Sequence, residues 1–296
     1  MLEKCLLCPR NCGVNRAEGI IGFCNSGKEV KIAKAYLHQW EEPCVSGSNG
    51  SGTIFFSNCN LRCVFCQNYR ISQESLGKEV TTEELAEIFI NLQKKGAHNI
   101  NLVTPTQYAP QIIDALKCAK KNGLNIPVLY NTNSYENVET IKALKGHVDV
   151  YLADLKYFKD DYAVKYSEAK DYFYHASKAI GEMYNQVGKA EFDENGMIIK
   201  GIIIRHLMLP GLLFDSKKVI DHIYQTYSDD VFISLMNQYT PMYKAAEYPE
   251  INKNLKPKHY DSIIEYCLGL GIHNAFIQDS GTASVAFVPD FDIKGF

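Results

Sequence analysis

The pattern of apolar and polar positions changes character near residue 50. Residues 1–45 are rich in Cys, Gly and Asn and show little periodicity beyond Glu29–Leu37, which suits a short strand or hairpin. Ser46-Gly-Ser-Asn-Gly-Ser-Gly52 reads as a flexible turn and a domain boundary, with a functional glycine loop as the alternative. Beyond it, short β-type runs alternate with amphipathic stretches. Strands are predicted over Thr53–Ser57, Asn99–Val103, Pro127–Tyr130, Val148–Leu155, Gly201–Leu209 and Val231–Met236, with a last short one over Asn274–Ile277. Helices are predicted over Thr81–Lys95, Gln107–Asn122, Glu136–Lys145, His175–Val187, Ser216–Tyr227 and Lys258–Leu270. Thr81 and Glu84 form a capping box, Gly96 supplies a stop, and Pro110 sits in a first turn.

Strands alternating with helices imply a parallel sheet with helical crossovers. Six such repeats lead to an α/β fold: a partial (β/α)6 TIM-type barrel behind a small Cys-rich N-terminal segment. The expected division is a Cys-rich metal-binding leader over 1–45, the barrel over 46–280 and a C-terminal tail over 281–296. In parallel barrels chemistry sits at the C-terminal ends of the strands. Polar residues do gather there: Thr104 and Thr106, Asn131, Thr132 and Asn133, Asp154 and Lys156, Arg205 and His206, then Asn237, Gln238 and Tyr239. Loops are polar in any case, so the concentration at six strand ends carries more weight than any one residue.

Apolar residues at 46% and charged residues at 22% exclude a disordered chain, a collagen-like repeat and a coiled coil. With 31 Lys and Arg against 34 Asp and Glu, the net charge of -3 argues against binding nucleic acid mainly through its phosphates. No apolar run approaches the roughly 18 residues of a membrane helix. Gly201–Phe214 is broken by Arg205, His206 and Pro210. The first residues lack the apolar core of a signal peptide, so a cytoplasmic enzyme with no membrane partner is expected.

Ten cysteines change this picture, because most are crowded into the first quarter of the chain. Clustered thiols in a reducing compartment more often hold metal than form disulfides. Cys118 and Cys267 fall inside helical patterns and read as small buried apolar residues; Cys44 stands alone and unassigned. Cys59, Cys63 and Cys66 follow the spacing C-x3-C-x2-C directly after the first barrel strand. Three thiolates on one loop can hold three irons of a 4Fe–4S cube and leave the fourth iron open to substrate, whereas four-cysteine sites are closed. A zinc site or unligated thiols are the plainer readings, and paired zinc knuckles fit this spacing poorly. Cys5, Cys8, Cys12 and Cys24 follow C-x2-C-x3-C-x11-C, with turn residues Pro9, Gly13, Gly19 and Gly22 among them. They suggest a structural metal, either tetrahedral zinc or a second iron–sulfur cluster that relays electrons. Free thiols at such density would be oxidation liabilities.

The stretch Phe55-Phe-Ser-Asn-Cys-Asn-Leu-Arg-Cys-Val-Phe-Cys-Gln-Asn68 resembles the radical S-adenosylmethionine superfamily, and more narrowly its pyruvate formate-lyase activating enzyme-like branch. Cys5–Arg16, Tyr151-Leu-Ala-Asp-Leu-Lys156 and Arg205-His-Leu-Met-Leu-Pro-Gly211 are similar to the same branch. The resemblance implies that the open iron chelates S-adenosylmethionine, that the reduced cluster cleaves it to a 5′-deoxyadenosyl radical, and that this radical takes a substrate hydrogen. By the same resemblance Cys59, Cys63 and Cys66 match the cluster ligands. Phe65 matches a position against the adenine, and Asp154 and Lys156 a polar pair near the methionine. Asn131 and Arg205 match further polar positions, and Asn237 is counted with them. The usual Gly-Gly-Glu is replaced by Val103-Thr104-Pro105, leaving Thr104 or backbone carbonyls to accept from the cofactor amino group.

The branch implies a flavodoxin or ferredoxin as reductant and a glycyl-radical protein as substrate. The Tyr239–Leu255 segment could shape or cover a groove for such a protein. Rival readings keep the radical but act on a small molecule, a peptide or an RNA. Others drop turnover for an iron–sulfur electron carrier or a zinc-organised binding protein.

Overall fold

The computed structural model describes residues 1–278 together with Pro289 and Phe291; the rest of the expected tail lies outside the described residues. The strands are β1 (Val30–His38), β2 (Ser51–Phe56), β3 (Lys78–Val80), β4 (Ile100–Val103), β5 (Val128–Thr132), β6 (Val150–Asp154), β7 (Glu191–Phe192), β8 (Ile198–Leu207), β9 (Phe232–Met236) and β10 (Ala275–Ile277). The helices are α1 (Pro43–Ser46), α2 (Tyr69–Ser72), α3 (Thr82–Lys94), α4 (Ala109–Lys121), α5 (Val138–Ala143), α6 (Asp160–Ser167), α7 (Tyr172–Val187), α8 (Leu213–Tyr227) and α9 (Pro257–Leu270). The sheet runs β10-β9-β8-β6-β5-β4-β2-β1-β3, and β7 pairs with β8. Every pairing from β2 across to β10 is parallel, whereas β1 and β3 join antiparallel. No described strand pair joins β3 to β10, so the expected barrel is partial and keeps a lateral gap.

Successive strand residues point to opposite faces, and the two faces bury different clusters. Val128 and Tyr130, Tyr151 and Ala153, and Ile202 and Ile204 pack in the large outer core with the helices. Leu129, Val150, Leu152 and Ile203 alternate with them and form a second cluster inside the barrel. Cys44 and Val45 of α1 join that inner cluster, so the β1–β2 connection plugs the barrel floor and gives Cys44 a packing role. Further along the same strands, Asn131, Asp154 and Arg205 share the parity of the floor residues. The lumen is therefore apolar at its base and polar above.

Local signals explain most boundaries. The expected capping box starts α3: Thr81 Oγ1 accepts from Glu84 N–H at 3.1 Å, and Thr81 N–H donates to Glu84 Oε2 at 2.8 Å. Gly271, at φ +81°, ends α9. Cys267 is buried and Cys118 packs against the core, as expected. The helix expected over Glu136–Lys145 shortens because Glu136 turns inward, where its Oε1 accepts from Thr106, Thr132 and Tyr130. α7 begins earlier than expected, at Tyr172, whose N–H donates to Asp160 Oδ1 at 3.1 Å. β8 also begins earlier, because β7 pairs with its first residues. No helix among the described residues is long and apolar enough to cross a membrane.

Candidate active site

The loop after β2 carries Cys59, Cys63 and Cys66, and backbone bonds fix it. Arg62 N–H donates to Ser167 O, Val64 N–H to Tyr166 O and Cys66 N–H to Cys63 O. Each sulfur also has a polar neighbour. Ser167 Oγ lies 3.1 Å from Cys63 Sγ, Ser72 Oγ 3.3 Å from Cys66 Sγ, and Asn133 Nδ2 3.5 Å from Cys59 Sγ. Burial pushes the Cys59 thiol up to about 12 and Cys66 to about 11, and raises Cys63. Metal loading must therefore expel their protons.

All three cysteines line one cavity of about 180 Å³, together with Thr104, Asn131, Asp154, Lys156 and Arg205. The structure thus brings together Thr104, Asn131, Thr132, Asn133, Asp154, Lys156 and Arg205 of the strand-end residues picked from the sequence, whereas Thr106, His206, Asn237, Gln238 and Tyr239, and Phe65 of the loop, are not in this lining. Phe65 is buried against Tyr239, with ring centroids 5.8 Å apart, and Asn237 N–H donates to Gln278 Oε1 at 2.8 Å.

A charged wall crosses the lumen. Lys156 Nζ reaches Asp154 Oδ2 at 2.6 Å, and Arg205 Nε reaches Asp154 Oδ1 at 3.1 Å. Arg205 also donates to Asn131 Oδ1 at 2.6 Å and to Glu41 Oε2 at 3.1 Å. Asn101 Nδ2 donates to Glu41 Oε1 at 2.9 Å. Burial opposes charge on Asp154, but Lys156 and Arg205 outweigh it and hold the carboxyl below its usual range. Glu41 entered from an aperiodic segment that gave no sequence signal. Asn101 had one, as a polar residue between Ile100 and Leu102 in an apolar strand.

Thr104 replaces an expected glycine yet keeps a glycine-like backbone, with φ +60°. That conformation costs a β-branched residue of order 1–3 kcal/mol. Its N–H donates to Asn131 O, and its carbonyl accepts from Gln107 Nε2 at 2.9 Å, which holds it there. Thr104→Gly is expected to raise stability by about 1 kcal/mol in urea unfolding; destabilisation would show that the threonine side chain contributes more than its strain.

His206, beside Arg205, points away from the cavity. Its Nδ1–H donates to Leu155 O at 2.7 Å, and its Nε2 accepts from Ser216 Oγ at 2.9 Å. Burial lowers its pKa to about 4. An unfolded histidine titrates near about 6.5, so between those values the unfolded chain binds the extra proton and stability falls as pH drops. His206→Gln should flatten the fall in urea stability between about pH 6.5 and 4. An unchanged slope would assign the acid sensitivity to other groups, such as His38, also lowered to about 4 by burial.

The leader docks against this loop. Cys5, Cys8, Cys12 and Cys24 line one tight cavity of about 10 Å³. Arg10 donates to Asn60 O at 3.0 Å and stacks over Phe23, 3.7 Å from its ring centroid. Arg62 donates to Phe23 O and covers the same ring. Arg16, fully buried, donates to Gly27 O and Gln107 O. Among the described residues no three Cys, His, Asp or Glu side chains converge on a point suited to one metal ion. The corners of a cube are more widely spread than the ligands of a single ion, so the three-cysteine loop remains suited to a cluster.

A family model described as the Radical SAM superfamily matches residues 53–223, a span that includes the three-cysteine loop and Asn101, Asn131, Asp154, Lys156 and Arg205 of the charged wall but not Glu41. The chain belongs to this superfamily. An uncharacterized protein of Methanocaldococcus jannaschii is 35% identical over 277 residues, 90% of this chain and 74% of that one. The pyruvate formate-lyase-activating enzyme of Clostridium pasteurianum is 30% identical over 185 residues, 60% of this chain and 68% of that one. Among solved structures, SuiB of Streptococcus suis bound to its precursor peptide SuiA matches with a TM-score of 0.51 at 14% identity, covering 76% of this chain. The enzyme anSMEcpe with AdoMet and a peptide matches with a TM-score of 0.53 at 15% identity, covering 75%. This chain spans 47% of the former and 60% of the latter. At such identities these two likenesses show the fold, a radical SAM partial barrel.

Proposed function

We propose that Cys59, Cys63 and Cys66 hold three irons of a 4Fe–4S cluster, that S-adenosylmethionine binds beside it, and that the protein removes a hydrogen atom from a substrate. The supporting observation is the single cavity shared by these cysteines and the paired Asp154, Lys156, Arg205 and Asn131. The bound cluster and S-adenosylmethionine together supply a one-electron cleavage that yields a 5′-deoxyadenosyl radical. The protein's own part is positioning. Ser72, Ser167 and Asn133 orient the sulfurs and favour their thiolate form. Lys156 and Asp154 offer opposite charges, already paired and oriented, to the zwitterionic methionine end of the cofactor. The cavity walls limit water near a reactive radical.

Thirty per cent identity to a pyruvate formate-lyase-activating enzyme supports a glycyl-radical protein as the substrate. The reaction needs a one-electron reductant, for which a flavodoxin or ferredoxin is proposed. A small-molecule substrate is favoured by a different observation, a confined second chamber that shares Arg205 with the first. The leader cysteines are read as a structural metal site, zinc or a second cluster; iron, sulfide and zinc counts on purified protein decide between them.

The test is anaerobic reconstitution, reduction with dithionite and addition of S-adenosylmethionine. Release of 5′-deoxyadenosine is expected; its absence, with a cluster EPR signal unchanged by S-adenosylmethionine, would favour an electron carrier. Deuterium transfer from a labelled candidate into 5′-deoxyadenosine identifies the substrate.

A further inference from the structure

On the far side of Arg205 lies a second chamber of about 160 Å³, whose lining among the described residues includes Trp40, Glu41, Glu42, Arg205, Ser234, Gln238 and Gln278. Glu42 is 8% exposed, and its Oε2 is buried with no hydrogen-bond partner among the described residues. Such an orphan costs about 1–3 kcal/mol unless something satisfies it.

The charges around it are already matched. Arg205 pairs with Asp154 and Glu41, and Lys156 with Asp154, so among the described residues Glu42 makes no ion pair of its own, and Arg205, the nearest favourable charge, is shared with two other acids. Burial raises the Glu42 pKa, with Arg205 and Ser234 opposing it. A buried carboxyl that lacks an ion pair favours its neutral form. A neutral carboxyl offers one donor and one acceptor side by side. That pair complements the N–H and C=O on one edge of a carboxamide or lactam. A carboxylate ligand would instead meet Glu41, and an ammonium would leave the acid's proton without an acceptor. Gln278 is held for recognition rather than free to collapse: its Nε2 donates to Gln238 Oε1 at 3.0 Å, and its Oε1 accepts from Asn237 N–H.

We infer that this chamber is a substrate subsite in which Glu42 reads the edge of an uncharged amide. Because Arg205 lines both chambers, a group seated there lies next to the cofactor cavity. The inference rests on the proposed radical function only for the word substrate; the binding chemistry is independent of it.

The test uses reconstituted holoenzyme with S-adenosylmethionine, titrated anaerobically with propionamide, propionate and propylammonium and followed by saturation-transfer NMR. Propionamide is expected to bind about tenfold more tightly than either ion, a difference of about 1.4 kcal/mol. E42Q, which keeps a donor and an acceptor, should retain that binding, and E42L should lose it about tenfold. Equal or tighter binding of either ion, no propionamide binding, or an unaffected E42L overturns the inference. Should E42L fail to fold, infrared spectra decide instead: a protonated-carboxyl band in the wild type that E42Q lacks supports the inference, and its absence from the wild type overturns it. Release of 5′-deoxyadenosine is followed in the same samples. Cleavage without amide binding sinks the subsite alone, and amide binding without cleavage sinks the radical function alone.

Discussion

Arg205→Met is expected to destabilise the protein by about 3–5 kcal/mol, because it removes one partner from a buried ionic network. The arginine side chain is only 12% exposed and is the link between Asp154 and Glu41. Without it, Glu41 keeps amide donors from Asn101 and Asn131, and Asp154 keeps its pair with Lys156. The expected fall in melting temperature is on the order of 10 °C. Adding Glu41→Gln to the same chain should recover part of the loss, since the uncompensated charge then disappears. A single variant that melts with the wild type would mean that water or a bound ion already screens this wall.

The second large effect is on chemistry. Cys63→Ala should abolish iron loading at the loop and reduce 5′-deoxyadenosine release to background, because two thiolates cannot retain a cube that three hold. Folding should survive, since the loop's backbone bonds to Tyr166 and Ser167 do not involve the sulfur. Cys118→Ala is the control: its sulfur packs against the outer core, and activity should stay at the wild-type level. Comparable activity in the two variants would contradict the cluster assignment.

Short apolar, β-branched runs made β4, β5, β6, β8 and β9 readable, and the cap at Thr81 made α3 readable, because those signals are local. What escaped was set by distant partners. α1 exists because Cys44 and Val45 fill the barrel floor, and Glu136 leaves its helix for three hydroxyls contributed by other segments. The same division holds at the site. The cysteines and the strand-end residues carried their own pattern, whereas Glu41 and Glu42 reach the lumen only because antiparallel pairing of β1 with β2 brings their connection beneath it. No spacing rule encodes that reach.

The arginines stacked where the leader meets the three-cysteine loop have a mechanical corollary. Arg10 comes from the first thiol set and Arg62 from the second, yet both lie over the single ring of Phe23, one residue before Cys24. A pull on either loop is transmitted through that shared aromatic to the other. Displacing the leader would uncover that ring and slacken the segment that carries Cys59, Cys63 and Cys66.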